Sequence, residues 1–92
     1  MMAEWNYNKV KLKIKDIILT NLEGDTSHIV LKDSKRIFNK NNNIDSINII
    51  LIFDLIETEF DIEIEDNELN HLLTSTLENV VNYVLSKLSN NQ

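Results

Sequence analysis

A bundle of four helices around one apolar core is expected of this chain, on grounds of composition and of spacing. One glycine and no proline in 92 residues leave too few turn-formers for an all-β domain, whose short strands must reverse repeatedly. Apolar residues recur every three or four positions through 49–60 and again through 77–88, the period of a helix with one buried face. There is no cysteine, so the fold has no disulfide and no thiolate–metal site, and its 42% hydrophobic residues must supply the core. At this size a chain hides somewhat more than the ~60% of unfolded surface buried by a domain of about 60 residues.

Residues 1–8 read as a flexible lead-in with one anchor candidate, Trp5. Between 9 and 22 two periods compete. Val10-Lys11-Leu12-Lys13-Ile14-Lys15 alternates as a half-buried strand does, while Val10, Ile14, Ile17, Ile18 and Asn21 share one face at helical spacing. The run holds no turn signal and stops at Glu23-Gly24, where a glycine suits the position just past a helix, so a first helix is expected here. A long loop, 25–45, follows. So long a connection is unusual in a compact domain unless it has a function, and its apolar residues around Ile29-Val30-Leu31 and Ile37-Phe38 are expected to pack on the core. The run Asn39-Lys40-Asn41-Asn42-Asn43 is too short for a prion-like tract and reads as a lysine- and asparagine-rich composition.

A second helix is expected over 46–59, with Ile49, Ile52, Phe53, Ile56 and Phe60 toward the core and Ile50, Leu51, Asp54, Glu57 and Thr58 turned away. The stretch Asp61-Ile62-Glu63-Ile64-Glu65 alternates as an extended linker with its isoleucines tucked inward. A short third helix should follow Asp66 as N-cap and bury Leu69, Leu72 and Leu73. Ser75, with Glu78 three residues on, spells a capping box for the last helix, whose stripe is Leu77, Val80, Val81, Val84, Leu85 and Leu88. Residues 89–92 read as a flexible tail, and 1–92 as a single domain without internal repeats.

Charge divides the chain. Residues 1–44 carry eight basic groups against five acids, a net of +3, and residues 45–92 carry one base against ten acids, a net of −9, within a total of −6. The acidic half disfavours nucleic-acid phosphates and attracts basic protein surfaces. The lysines at 9, 11, 13 and 15 read as the solvated face of a helix. No apolar run approaches the ~18 residues of a membrane span, and no signal peptide is visible at the N-terminus. A monomer in the cytoplasm, without nucleic-acid or membrane partners, is the expectation.

Catalytic equipment is sparse. His28 and His71 are the only histidines, far apart and without a cysteine, so neither a zinc set nor a Ser-His-Asp arrangement is spelled. The acidic run 61–68 fails as a calcium loop, with Asp66 where the glycine belongs and Leu72 where the closing glutamate belongs. One glycine excludes a phosphate-cradling loop. No metal and no catalytic residue are expected. Ser46 remains, preceded by Asp45 and opening an apolar helix. By itself it reads as a helix cap, as serines and aspartates in that place commonly are. Equally, an anion attached to its hydroxyl would lie at the positive end of the helix dipole, favoured by ~0.3–1 kcal/mol.

Asp45-Ser46-Ile47, the helix end Glu57-Thr58-Glu59-Phe60, the Ile62-Glu63-Ile64 linker and Thr76-Leu77-Glu78-Asn79-Val80-Val81 together resemble the acyl and peptidyl carrier proteins, across roughly 9–88. Two differences stand out. Asn43 and Ile47 replace the family's usual glycine and leucine, and Ile50 and Leu51 stand where fatty-acid synthesis carriers display acids. Asparagine tolerates a left-handed backbone better than most residues, and isoleucine is conservative. The resemblance implies a four-helix carrier bundle with a long loop between helices 1 and 2. It implies a 4'-phosphopantetheine arm from coenzyme A on Ser46, flanked by Asp45, that holds acyl, aminoacyl or peptidyl intermediates as thioesters. It implies a non-catalytic protein, modified by a phosphopantetheinyl transferase and met by loading and downstream biosynthetic enzymes. Ile47, Ile50, Leu51, Asp54 and Glu57 would then form the partner surface, whose apolar character suggests polyketide, nonribosomal peptide or related specialised biosynthesis. Packing of Ile50 and Leu51 against the long loop is an equal explanation of those two. An unmodified, small acidic helical interaction domain, with Ser46 a mere cap, is the alternative from another class.

Overall fold

The computed structural model describes residues 4–90, so residues 1–3 of the expected lead-in and 91–92 of the expected tail lie outside the described residues. It contains α1 (Tyr7–Thr20), α2 (Ser46–Phe60), α3 (Asp66–Leu72) and α4 (Leu77–Asn90), with no strand among the described residues. The divided signal at 9–22 resolves as helix, because Val10, Ile14, Ile17 and Ile18 all enter the core on one face.

Each helix boundary has a local cause, and several differ from expectation. Helix α1 starts two residues early because Asn6 caps it, its side-chain oxygen accepting from Lys9 N–H at 2.9 Å. It also stops early. Thr20 Oγ1 donates to Asp16 O and Asn21 Nδ2 to Ile17 O, both at 2.7 Å, so the Asn21 side chain satisfies one of the carbonyls that the last turn leaves open. Gly24 (φ 80°) therefore lies in the loop beyond the helix rather than at its end. Asp45 caps α2, whose far end is closed by Asp61 in the left-handed conformation (φ 52°), donating to Glu57 O. Asp66 is the first residue of α3, not its cap; Glu65 holds the cap position without a side-chain bond. The expected Ser75 capping box does not form. Ser75 Oγ donates instead to His71 O at 2.7 Å, and Thr76 Oγ1 accepts from Asn79 N–H at 3.2 Å, one residue later.

The core joins the inner faces of the helices: Val10, Ile14 and Ile18 of α1, Ile52, Phe53, Ile56 and Phe60 of α2, Leu72 of α3, and Leu77, Val80, Val81 and Val84 of α4. Ile49, Ile64, Leu69, Leu73, Leu85 and Leu88, expected inside, are only half-buried. Trp5 docks edge-on against Phe60, with ring centroids 4.8 Å apart.

The loop between α1 and α2 is built into this core. Ile37 is buried, and the Phe38 ring tilts over Phe53 at 5.5 Å. Leu31 packs against the core while Val30 stays exposed, so only part of the apolar knot is used. The loop also seals the start of α4: Lys35 O accepts from Leu77 N–H at 3.0 Å and Asp33 O from Glu78 N–H at 2.9 Å. These bonds satisfy donors that the first turn of a helix otherwise leaves open.

Candidate functional site

The loop delivers the chain to α2 through a fixed turn. Asn43 has φ 51°, in the left-handed region that asparagine tolerates better than most residues, and its N–H donates to Asn39 O at 3.0 Å. Asn42, just before it, is buried and fully bonded. Its Nδ2 donates to Val30 O (3.0 Å) and Ile37 O (2.8 Å), and its Oδ1 accepts from Val30 N–H (2.9 Å). Its own N–H reaches Asn39 Oδ1 at 2.8 Å. Nothing in the sequence marked this residue, because a single buried amide has no period and hides in a run of similar letters.

Asp45 then opens the helix. Its Oδ1 accepts from Asn48 N–H at 2.9 Å, and its carbonyl accepts from Ile49 N–H at 3.0 Å. The aspartate is therefore the cap, which leaves the neighbouring hydroxyl of Ser46 without that duty. Ser46 is exposed in the first turn of α2.

Ser46 stands at the edge of a cleft of about 240 Å³ between α2 and α3, whose other lining residues are Ile49, Ile50, Phe53, Leu69 and Leu73. Every one of these is apolar. That explains why Leu69 and Leu73 are not sealed in the core: α3 turns one leucine, Leu72, fully inward and leaves the other two along the cleft. On the other side of Asp45 a smaller cavity of about 160 Å³ separates the loop from the start of α2, lined by polar groups that include His28, Asn43, Asp45 and Asn48. The helix start thus has a greasy flank and a polar flank.

Along the outer face of α2, Ile47 is 78% exposed, Ile50 59% and Leu51 40%, with Asp54 exposed beyond them. Ile50 and Leu51 do not pack away under the loop. Glu57 differs from the rest. It is half-buried, and its Oε2 accepts from Ile64 N–H at 2.8 Å, so its carboxylate is committed to holding the α2–α3 linker. The structure brings Asp45, Ser46, Ile47, Ile50, Leu51 and Asp54 into one exposed strip and leaves Glu57 at its margin. Among the described residues, no three of His, Asp or Glu converge as a metal site, and no helix is long and apolar enough to cross a membrane.

No family model matches the chain, and no solved structure matches it. Among curated proteins it is similar to the acyl carrier protein of Petrotoga mobilis, with 34% identity over 77 residues, which cover 84% of this chain and 85% of that protein.

Proposed function

The chain belongs to the acyl carrier protein family, and we infer that it tethers pathway intermediates on a 4'-phosphopantetheine arm attached to Ser46. The observation that carries this reading is the placement of Ser46: exposed, relieved of capping by Asp45, and beside an apolar cleft. A phosphopantetheinyl transferase needs to reach that oxygen. The hydroxyl attacks the phosphorus bearing pantetheine in coenzyme A, the pyrophosphate bond breaks, adenosine 3',5'-bisphosphate leaves, and the serine proton passes to the transferase. The arm supplies a terminal thiol that holds cargo as a thioester. The chain itself is a non-catalytic carrier, and its contribution is positional.

Ser46 holds the arm covalently at the positive end of the α2 dipole, which favours the phosphodiester, although the neighbouring Asp45 carboxylate opposes it. Ile49, Ile50, Phe53, Leu69 and Leu73 offer cover for apolar parts of arm or cargo, since burying such surface is worth about 25 cal/mol per Å². Ile47, Ile50, Leu51 and Asp54 form the surface that meets the transferase, the loading enzyme and downstream enzymes. The exposed apolar side chains of Ile47, Ile50 and Leu51 support a dedicated partner set, as in polyketide, nonribosomal peptide or related specialised biosynthesis in the cytoplasm.

Intact mass tests the reading. Incubation with coenzyme A and a broad-specificity transferase should add one phosphopantetheine to the wild type and none to Ser46→Ala. A folded wild-type chain that gains no mass would leave instead an unmodified acidic interaction domain.

A further inference from the structure

Away from Ser46, four basic side chains lie within nine residues of the loop between α1 and α2. Lys32, Lys35, Arg36 and Lys40 are all exposed. None of them forms an ion pair among the described residues; the pairs formed there use Lys11, Lys13 and Lys87 instead. Asp33, the acid among them, is already held by Tyr7 Oη at 2.7 Å and Lys11 Nζ at 3.3 Å.

The backbone under these cations is fixed. Lys35 N–H closes a turn onto Lys32 O at 3.0 Å, which draws the first two together. Asn39 Nδ2 donates to Arg36 O at 2.6 Å, Ile37 is anchored in the core, and Lys35 O is bonded to the first turn of α4. Charges mounted on an ordered backbone lose less freedom on docking than charges on a mobile tail.

We propose that this ridge is a docking surface for an acidic patch on a protein partner. The overall charge selects that class of anion. Residues 45–92 carry a net −9 and the whole chain −6, so an extended, uniformly negative nucleic acid or lipid surface repels most of the molecule while attracting the loop. A protein surface changes sign over short distances. It can present acids to the ridge and bases to Asp45 and Asp54 at the same time, which fixes orientation as well as attraction. The ridge acts whether or not Ser46 is modified.

Titration of the isotope-labelled full chain with a hexaglutamate peptide, followed through backbone amide shifts, tests this. Shifts should concentrate at residues 32–40. Binding should weaken about tenfold or more at high salt and in the variant combining Lys35→Glu, Arg36→Glu and Lys40→Glu. Unperturbed core amides would show that this variant is folded; should it not fold, Lys40→Glu alone carries the comparison. The Ser46→Ala chain should bind equally, which separates this result from the fate of the carrier reading. Absence of shifts at 32–40, or equal shifts at Lys9, Lys13 and Lys15, overturns the proposal. So does equal or tighter binding of a single-stranded hexanucleotide or of phosphatidylserine vesicles, which would make the ridge a general polyanion site.

Discussion

Asn42 is 1% exposed, and each of its hydrogen-bonding groups has a partner, including its carbonyl, which lies 3.0 Å from His28 Nε2. A carbonyl can only accept, so that imidazole nitrogen carries the proton. The side chain ties Val30 to Ile37 across the loop, and the next residue makes the left-handed turn that aims the chain at Asp45 and Ser46. Asn42→Ala would strand the Val30 amide and the Val30 and Ile37 carbonyls, at a cost of ~1–3 kcal/mol. Asn42→Asp should be worse despite its shape, because a carboxylate brings no donor and sets negative charge against two carbonyls. Denaturant unfolding of both variants checks this order. An aspartate variant as stable as wild type would mean that those carbonyls do not depend on the amide. The same residue shows where reading the sequence stops. The start of α2 at Asp45 and Ser46 was legible because a polar pair ahead of an apolar helix has a recognisable order. Asn42 was not, since its role depends on partners twelve residues away and on its neighbours' burial. The committed carboxylate of Glu57 was hidden for the same reason: spacing places it on the outer face, and only the fold of the linker brings Ile64 N–H to it.

At the scale of elements, helical faces were the easiest feature to read and helix ends the hardest. The buried stripes of α2 and α4 follow directly from the three- and four-residue apolar spacing, which depends on the helix alone. The ends depend on competition among nearby side chains. Ser75 and Thr76 are both plausible caps, and the contest is settled by the His71 carbonyl, which takes the Ser75 hydroxyl, and by the loop carbonyls that occupy the Leu77 and Glu78 amides. Helix α4 is consequently tied to the loop through backbone bonds as well as through its core face. Leu77 is fully buried at this junction, so Leu77→Ala should cost ~2–5 kcal/mol through lost burial and a cavity. Thr76→Ala, losing one cap bond, should cost ~1 kcal/mol. Thermal or denaturant melts distinguish the two. A Leu77 variant no worse than the Thr76 variant would show that the loop relaxes to fill the space.

Across the whole molecule, the two terminal helices use the same clamp. Tyr7 and Lys11 on α1 grip Asp33 of the loop, and Tyr83 and Lys87 on α4 grip Glu68 of α3, at 2.7 and 3.3 Å and at 2.9 and 3.2 Å respectively. In each, the four-residue spacing lays the lysine over the tyrosine ring, with the ammonium 5.4 or 5.6 Å from its centre. The clamps make stability depend on pH at both ends of the scale. The tyrosine hydrogen bond, helped by the lysine, holds the Asp33 and Glu68 carboxyls below their usual range. A depressed folded-state pKa gives stability that is present above the ordinary carboxylate range and is lost as pH falls through the depressed value. Desolvation, then the hydrogen bond to Asp33, pushes the Tyr7 hydroxyl up to about 12, and desolvation with the Glu68 bond raises that of Tyr83 as well. A raised pKa gives stability that is present below the ordinary tyrosine value of about 10 and is lost as pH climbs beyond it toward the raised value. The Asp33 and Glu68 side chains keep 40% and 34% of their surface exposed, so salt should soften the acid limb. Melting temperature followed from acid to strongly alkaline pH should therefore fall on both sides of a neutral plateau. In a Tyr7→Phe, Tyr83→Phe variant both limbs should flatten: the Asp33 and Glu68 carboxyls return toward their ordinary range and leave less stability to lose in acid, and neither hydroxyl remains to ionise above pH ~10. Superimposable wild-type and variant profiles would show that the two clamps contribute nothing to the pH dependence of folding.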